Sequence, residues 1–173
     1  MISVIVPCFN EEETIHYFYQ AMEKVRIKMN EEFEYIFVND GSKDSTLSIL
    51  RSLSVQDRSV RYLSFSRNFG KEAALFAGLE EASGHLVTVM DADFQDPPEM
   101  LMEMKQMLDD NSDLDCVGTR RVSRDGEPLI RSFFATLFYK LMNKISQVEV
   151  VDGARDFRLM RRHMVDAILS VSE

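Results

Sequence analysis

Short apolar runs recur along this chain, and each ends abruptly in a polar turn that leads into a helix-like segment. Ile2–Pro7, Glu34–Asn39, Val60–Phe65 and His85–Met90 are rich in Val, Ile, Leu and Phe. They lack strict apolar–polar alternation, which marks strands covered on both faces. Segments of helical spacing separate them: Glu11–Met29, Ser45–Val55, Lys71–Ala82 and, opened by Pro97, a run to Asp110. Acidic residues open the first helix, a proline opens the fourth, and Gly84 closes the third. Further along, Leu114–Thr119 predicts a fifth strand and Leu129–Ile145 a long apolar helix. Phe157–Met160 then predicts a short strand and Arg161–Leu169 a last helix. Repeated β-α-β units predict an α/β three-layer sandwich, a mainly parallel sheet with helices on both faces.

Open α/β sheets bind ligands outside the carboxyl ends of their strands. The strand His85–Met90 ends in Asp91-Ala92-Asp93-Phe94-Gln95-Asp96-Pro97-Pro98. Side chains at i and i+2 of an extended segment point the same way. Asp91 and Asp93 therefore converge, and two such carboxylates repel unless a cation lies between them. A hard divalent ion, Mg²⁺ or Mn²⁺, suits that place and keeps open positions for phosphate oxygens. Gln95, one alternate position further, adds a neutral amide oxygen. An Asp-x-Asp pair alone is more often a solvated turn; the buried strand before it decides for a metal site holding a nucleotide diphosphate.

Three other strand ends carry polar turns. Pro7-Cys8-Phe9-Asn10-Glu11-Glu12 follows the first strand, and it could line a base and ribose pocket or simply start a helix. Asn39-Asp40-Gly41-Ser42-Lys43-Asp44-Ser45 follows the second. Asp40 is placed to accept hydrogen bonds from a base or ribose. Gly41 permits a tight turn with close ligand approach, while Asp44 or Ser45 caps the next helix. After the third strand, Arg67 and Lys71 lie near a helix N-terminus, which favours an anionic group. Neither a P-loop nor a G-x-G-x-x-G fingerprint is present.

With 173 residues the chain suits one domain with a sizeable core. Residues 1–115 hold 22 acidic and 10 basic side chains, whereas residues 116–173 hold 7 and 10. An acidic chain is a poor general nucleic-acid binder. Its basic final third could meet a lipid surface or phosphorylated substrate, although a solvated mixed face explains the charge alone. Cys8 and Cys116 fall in strand-like runs, as buried reduced thiols of a cytosolic protein would. No run reaches the roughly 18 apolar residues of a membrane span, and no secretory signal follows Met1. His16, His85 and His163 are not spaced as metal ligands.

Four strand-end motifs occur in order: Pro-Cys-Phe-Asn-Glu-Glu, Val-Asn-Asp-Gly-Ser-Lys-Asp-Ser-Thr, Arg-Asn-Phe-Gly-Lys-Glu-Ala-Ala and Asp-Ala-Asp-Phe-Gln-Asp-Pro-Pro-Glu. Together they resemble the family 2 inverting glycosyltransferases of the GT-A fold. Gly153-Ala154-Arg155-Asp156-Phe157-Arg158-Leu159-Met160 narrows the resemblance to bacterial polyprenyl-phosphate glycosyltransferases, relatives of dolichol-phosphate mannosyltransferase. The likeness spans roughly Ile2 to Arg162. It implies a nucleotide-sugar donor and a polyprenyl phosphate acceptor, with the full-length protein at the cytoplasmic face of the membrane. It implies nucleoside contacts from Pro7, Phe9, Glu11 and Asp40, with Asn10, Gly41, Ser42, Arg67, Lys71 and Ala92 completing the donor site. Asp91, Asp93 and Gln95 would hold the metal on the diphosphate, and Arg121 would face the phosphates. Asp156 matches the acidic position assigned to acceptor activation. For Asp156, spacing alone equally allows a salt bridge to Arg155 or Arg158.

Asp96 stands where eukaryotic and archaeal relatives often have His, and Asp156 where mannosyltransferase relatives more often have Gly. The first adds negative charge beside the metal; the second favours the bacterial branch and, with it, a UDP-sugar over GDP-mannose. Family members usually continue beyond a position like Glu173 into interfacial helices and membrane spans. The chain is thus expected to be a soluble excised catalytic domain, with apolar faces near Leu129–Ile145 available for membrane contact or homo-oligomerisation. Two alternatives stay open: an acceptor that is a sugar hydroxyl of a surface polysaccharide, and a nucleotide-sugar-binding module without activity.

Overall fold

The structure, a computed structural model, describes residues 1–120 and 154–171. Its strands are β1 (Ile2–Cys8), β2 (Phe33–Asn39), β3 (Val60–Ser64), β4 (Leu86–Val89), β5 (Cys116–Arg120) and β6 (Ala154–Arg161). Its helices are α1 (Ile15–Met29), α2 (Thr46–Gln56), α3 (Lys71–Glu81), α4 (Met100–Asp110) and α5 (Arg162–Ser170). The helix expected at Leu129–Ile145 and the loop at Arg121–Pro128 lie outside the described residues. The chain forms two compact units, Met1–Val117 with Phe157–Glu173, and Gly118–Asp156.

The strands form one sheet in the order β3-β2-β1-β4-β6-β5. β1 pairs in parallel with both β2 and β4, and β2 with β3. β6 runs antiparallel to β4, with Val89 opposite Arg158 and Leu86 opposite Arg161. Every residue of β2 and β4 is buried, which accounts for their unbroken apolar character. On one face Val4 and Val6 meet Ile15, Phe18 and Met22 of α1 and Leu101 and Met104 of α4. On the other, Ile5, Val38 and Val87 pack with Ala74 of α3 and Val165 of α5. A Cβ at Gly78 of α3 would lie 2.3 Å from Cγ2 of Ile5, so the missing side chain lets α3 approach the sheet closely.

Several boundaries differ from the sequence expectation for identifiable reasons. β1 continues past Pro7 to Cys8. The Ile5 carbonyl accepts a bond from Met90 N–H, so Ile5 and Pro7 face the β4 side, and the β4 pairing ends at Ile5. Pro7 therefore forfeits no ladder bond there. α1 starts at Ile15 rather than Glu11, because the backbone of Asn10, Glu11 and Glu12 is tied to the turn after β2. α4 begins at Met100, after a turn in which Met100 N–H bonds the Pro97 carbonyl.

The amino ends of the strands are locked by buried polar side chains. Glu34 of β2 accepts bonds from the Ser3 hydroxyl, the Ser83 N–H (2.7 Å) and the Ser83 hydroxyl (2.8 Å). Arg61 stands 3.6 Å from its other oxygen. Arg161 donates to the carbonyls of Leu114 (2.8 Å) and Leu108 (2.7 Å). Next to it, Arg162 donates to those of Ala82 (2.9 Å) and Gly84 (3.0 Å). Two consecutive guanidinium groups thus satisfy carbonyls left open at the ends of α4 and α3.

Burial alone would raise the Glu34 pKa, but the bonds from Ser3 and Ser83 and the Arg61 charge outweigh it and hold it below the ordinary value. The unfolded chain then takes up the proton first as pH falls. Glu34 contributes fully above the unfolded value of about 4.3, and the contribution is lost as pH drops through the lower folded value. Glu34→Gln is expected to cost about 1–3 kcal/mol of unfolding free energy at neutral pH, with the gap to wild type narrowing below about pH 4. Denaturant unfolding at several pH values measures it; a variant as stable as wild type at pH 7 contradicts the assignment.

Candidate active site

The carboxyl ends of β1, β2 and β4 open onto one cavity of about 480 Å³. Pro7, Phe9 and Glu11 line it from the end of β1, and Asp40 from the end of β2. Lys71 reaches it from α3, and Asp91, Ala92 and Asp93 from the turn after β4. Its volume lies in the range of small-molecule sites. Four carboxylates and one ammonium line it, a charge pattern that suits a cation together with an anionic ligand.

Asp40 is buried, and its carboxylate is the hinge of the site. Oδ1 accepts the Phe69 N–H at 2.7 Å and Oδ2 the Gly70 N–H at 3.0 Å. The bonds fix the start of α3 against the end of β2, and each oxygen keeps a further lone pair toward the cavity. Gly41 follows with φ +67°. A Cβ there would sit 2.3 Å from the Arg67 carbonyl carbon and 2.6 Å from the Asn68 nitrogen. The close approach made possible by Gly41 is thus to the chain's own backbone.

Asn10 and Ser42 join the first two turns. The Asn10 N–H donates to Ser42 Oγ and the Lys43 N–H to Asn10 Oδ1, both at 2.9 Å. Asn10 adopts φ 58° to do so, a conformation that asparagine tolerates. Asp44 accepts from the Thr46 N–H at 3.0 Å, in line with its expected capping place. Neither Asn10 nor Ser42 lines the cavity, and neither does Arg67. Arg67 lies over the Phe69 ring, 4.6 Å from its centre, and Phe69 in turn meets Phe65 edge-on.

Lys71, the first residue of α3, places Nζ 2.8 Å from both oxygens of Asp91. Asp93 accepts bonds from the Gln95 backbone N–H (3.1 Å) and side-chain amide (2.7 Å). Between them Phe94 takes φ 59°, a strained region for a bulky residue. Its ring rests against Phe18, 6.2 Å between centres. Backbone strain held in place by packing is common where a loop must present ligands.

The donor set fits a hard divalent ion. Asp91 and Asp93 line one cavity, and Gln95 brings its amide beside Asp93. Among the described residues, no group of three His, Cys, Asp or Glu side chains is arranged to hold a metal. Gln95 turns its side-chain NH2, not the amide oxygen expected from the sequence, toward Asp93, so the two carboxylates are the candidate ligands and Gln95 would join them only with its amide reversed.

Cys8, Asn68, Gly70 and Ala74 also line the cavity, although none is named individually as a site residue from the sequence. Burial pushes the Cys8 thiol pKa well above the ordinary value, and Glu11, Asp91 and Asp44 push it further. It remains a thiol and serves as wall rather than nucleophile. Ala74 lies three residues beyond Lys71, so helical spacing could have found it. Asp156 is an exposed residue of β6 within the unit Gly118–Asp156. Arg121 lies outside the described residues.

A family model, glycosyl transferase family 2, matches residues 3–169. The chain belongs to glycosyl transferase family 2. Among curated members, the bactoprenol glucosyl transferase of Shigella phage SfV is 44% identical over 172 residues, 99% of this chain and 55% of that protein. The putative glycosyltransferase CsbB of Bacillus subtilis (strain 168) is 39% identical over 173 residues, 100% of this chain and 52% of that protein. The chain spans about half the length of these family members. Solved structures of GT-A glycosyltransferases share the fold. A mannosyltransferase from Pyrobaculum calidifontis, in complex with GDP-Man and Mn²⁺, superposes with a TM-score of 0.66 at 21% identity, over 96% of this chain and 46% of that one. Glucosyl-3-phosphoglycerate synthase from Mycobacterium tuberculosis, in complex with Mn²⁺, UDP and phosphoglyceric acid, gives 0.65 at 21%, over 95% and 56%. In this family 2 domain no described helix is long and apolar enough to cross a membrane.

Gly41→Ala forces a left-handed alanine whose Cβ overlaps the Arg67–Asn68 backbone. It is expected to cost about 1–3 kcal/mol of stability through strain and overpacking, and to weaken nucleotide binding by displacing the Asp40-anchored loop. Thermal unfolding with and without nucleotide measures both effects; wild-type values for both would contradict the packing described.

Proposed function

We propose that this chain is the donor-binding, catalytic portion of a metal-dependent inverting glycosyltransferase. It moves a sugar from a nucleotide-sugar, a UDP-sugar in preference to GDP-mannose, to a polyprenyl phosphate at the cytoplasmic face of the membrane. The observation that carries the reading is the cavity at the strand ends, which Asp40, Lys71, Asp91 and Asp93 line together. Identity to bactoprenol glucosyl transferases supports the lipid acceptor and a role in cell-envelope glycan synthesis. Neighbours of the same fold hold Mn²⁺ with UDP or GDP-Man, which supports a divalent ion beside a nucleotide.

On this reading the residues divide the work by their chemistry. Phe9, Pro7 and Glu11 enclose the nucleoside, and Asp40 offers its free lone pairs to base or ribose. Asp91, Asp93 and Gln95 hold Mg²⁺ or Mn²⁺, which when bound neutralises charge developing on the departing diphosphate. Inversion follows from in-line attack on the anomeric carbon by an acceptor phosphate oxygen, with the bond to the diphosphate oxygen breaking on the opposite face. That acceptor is already anionic near neutral pH. Asp156 therefore positions it more than it removes a proton, and Arg121 faces the phosphates.

The test uses full-length protein in detergent with labelled UDP-glucose or GDP-mannose, undecaprenyl phosphate, and Mg²⁺, Mn²⁺ or EDTA. Label is expected to pass from a UDP-sugar into the lipid fraction only with a metal. Asp93→Asn is expected to slow transfer by about 10²-fold or more. Asp156→Asn is expected to slow transfer while leaving donor binding intact. Transfer at the wild-type rate by Asp156→Asn would remove that residue from the mechanism. Label appearing only on polysaccharide would replace the acceptor.

A further inference from the structure

The side chains around the cavity differ in what they offer a bound base. Glu11, Asp40, Asp91 and Asp93 are carboxylates, and an ionised carboxylate only accepts hydrogen bonds. The Lys71 ammonium donates to Asp91, and the Cys8 thiol to the Val6 carbonyl at 3.4 Å. Asn68 is the remaining polar side chain among the described residues that line the cavity. It is exposed, and its side-chain amide, which carries both donors and an acceptor, bonds no other described residue.

The sheet order β3-β2-β1-β4 sets where along the cavity this amide is rooted. Asp91 and Asp93 follow β4, Phe9 follows β1 and Asp40 follows β2. Asn68 belongs to the turn between β3 and α3, and β3 stands three strand spacings, each about 4.8 Å, from β4. The backbone of Asn68 is fixed on both sides. Its nitrogen lies 2.6 Å from the place a Cβ on Gly41 would take, so the turn after β2 abuts it. The next two N–H groups, of Phe69 and Gly70, are held by the buried Asp40 carboxylate. The amide therefore starts beside Asp40, on the side of the cavity away from Asp91 and Asp93. A nucleotide whose diphosphate lies at Asp91 and Asp93 extends across the end of β1 and brings its base to Asp40 and Asn68.

We propose that Asn68 reads the base of the nucleotide, its amide donating to a base carbonyl while Asp40 accepts the neighbouring ring N–H. The inference rests on the functional reading above and deepens it by naming the class of base. A carbonyl beside a ring N–H is the edge that uracil and guanine share. Asp40 alone satisfies half of that edge, because a carboxylate has nothing to donate to the carbonyl, and an unpaired polar group is costly in a closed site. Cytosine and adenine present an amino group beside an unprotonated ring nitrogen. That nitrogen would set its lone pair against an Asp40 oxygen, acceptor against acceptor, and such mispairing is how a polar site rejects an analogue. Asn68 and Asp40 together thus select bases with a carbonyl and N–H edge, and the choice between uracil and guanine falls to the shape of the cavity.

The test is isothermal titration of full-length protein in detergent with UDP and with CDP, which differ only at the base edge, each in the presence of Mn²⁺. Wild type is expected to bind UDP about tenfold or more tightly than CDP. Asn68→Asp keeps the shape of the side chain but leaves it acceptor-only, so it opposes the carbonyl of uracil and suits the amino group of cytosine. It is expected to cut the UDP-to-CDP preference about tenfold, and the ratio cancels the effect of the added charge on both nucleotides. Asn68→Ala is expected to weaken UDP about tenfold. Thermal unfolding checks that each variant is folded; a loss of structure would weaken both nucleotides alike and leave the ratio unchanged. Wild type that binds UDP and CDP equally, Asn68→Asp with the wild-type ratio, or Asn68→Ala with wild-type affinity for UDP overturns this inference alone. Wild type that binds neither nucleotide overturns it together with the proposed function.

Discussion

Both oxygens of one buried carboxylate, Asp40, are bound by the N–H groups of Phe69 and Gly70. That pair of bonds joins the end of β2 to the start of α3 and sets where Lys71 begins. From there the lysine reaches Asp91 at the end of β4. Gly41 allows the two chain segments to touch: the Arg67–Asn68 backbone leaves no room for a Cβ there, and the positive φ would strain one. The cavity is therefore built less by its lining side chains than by a few backbone contacts that hold three strand ends in register.

The two ends of the sheet divide structure from chemistry. At the amino ends, Glu34, Arg161 and Arg162 satisfy loop N–H groups and carbonyls with buried or half-buried charge. Such groups stabilise only while fully paired, because an unpaired buried charge is costly. At the carboxyl ends the charges are left facing a cavity, and the turn that presents Asp91 and Asp93 carries a strained Phe94 held by Phe18.

Much of this was legible in the residues. Apolar runs without alternation gave parallel strands buried on both faces, as β1, β2 and β4 are. The four polar turns at strand ends located most of the cavity, including Asp40, Lys71, Asp91 and Asp93. What the sequence concealed was partnership. Asn10 and Ser42 have the residue types of ligand contacts, yet they bond each other's turns. Arg67 has the charge for a phosphate, yet it lies over Phe69. A polar side chain next to a site serves ligand or loop according to distances that no spacing encodes. The antiparallel direction of β6 was hidden for a similar reason, since an apolar run carries no mark of its direction. The caps formed by Arg161 and Arg162 depend on long-range contacts and leave no local pattern.

The central claim is that the Asp91–Asp93 turn holds a divalent ion against a nucleotide diphosphate. Crystals of the protein soaked with Mn²⁺ and UDP, with diffraction collected at the manganese edge, test it directly. The account predicts an anomalous peak within ligand distance of Asp91 and Asp93, contacting the diphosphate. A peak elsewhere, or UDP bound with no ion beside Asp91 and Asp93, would contradict it.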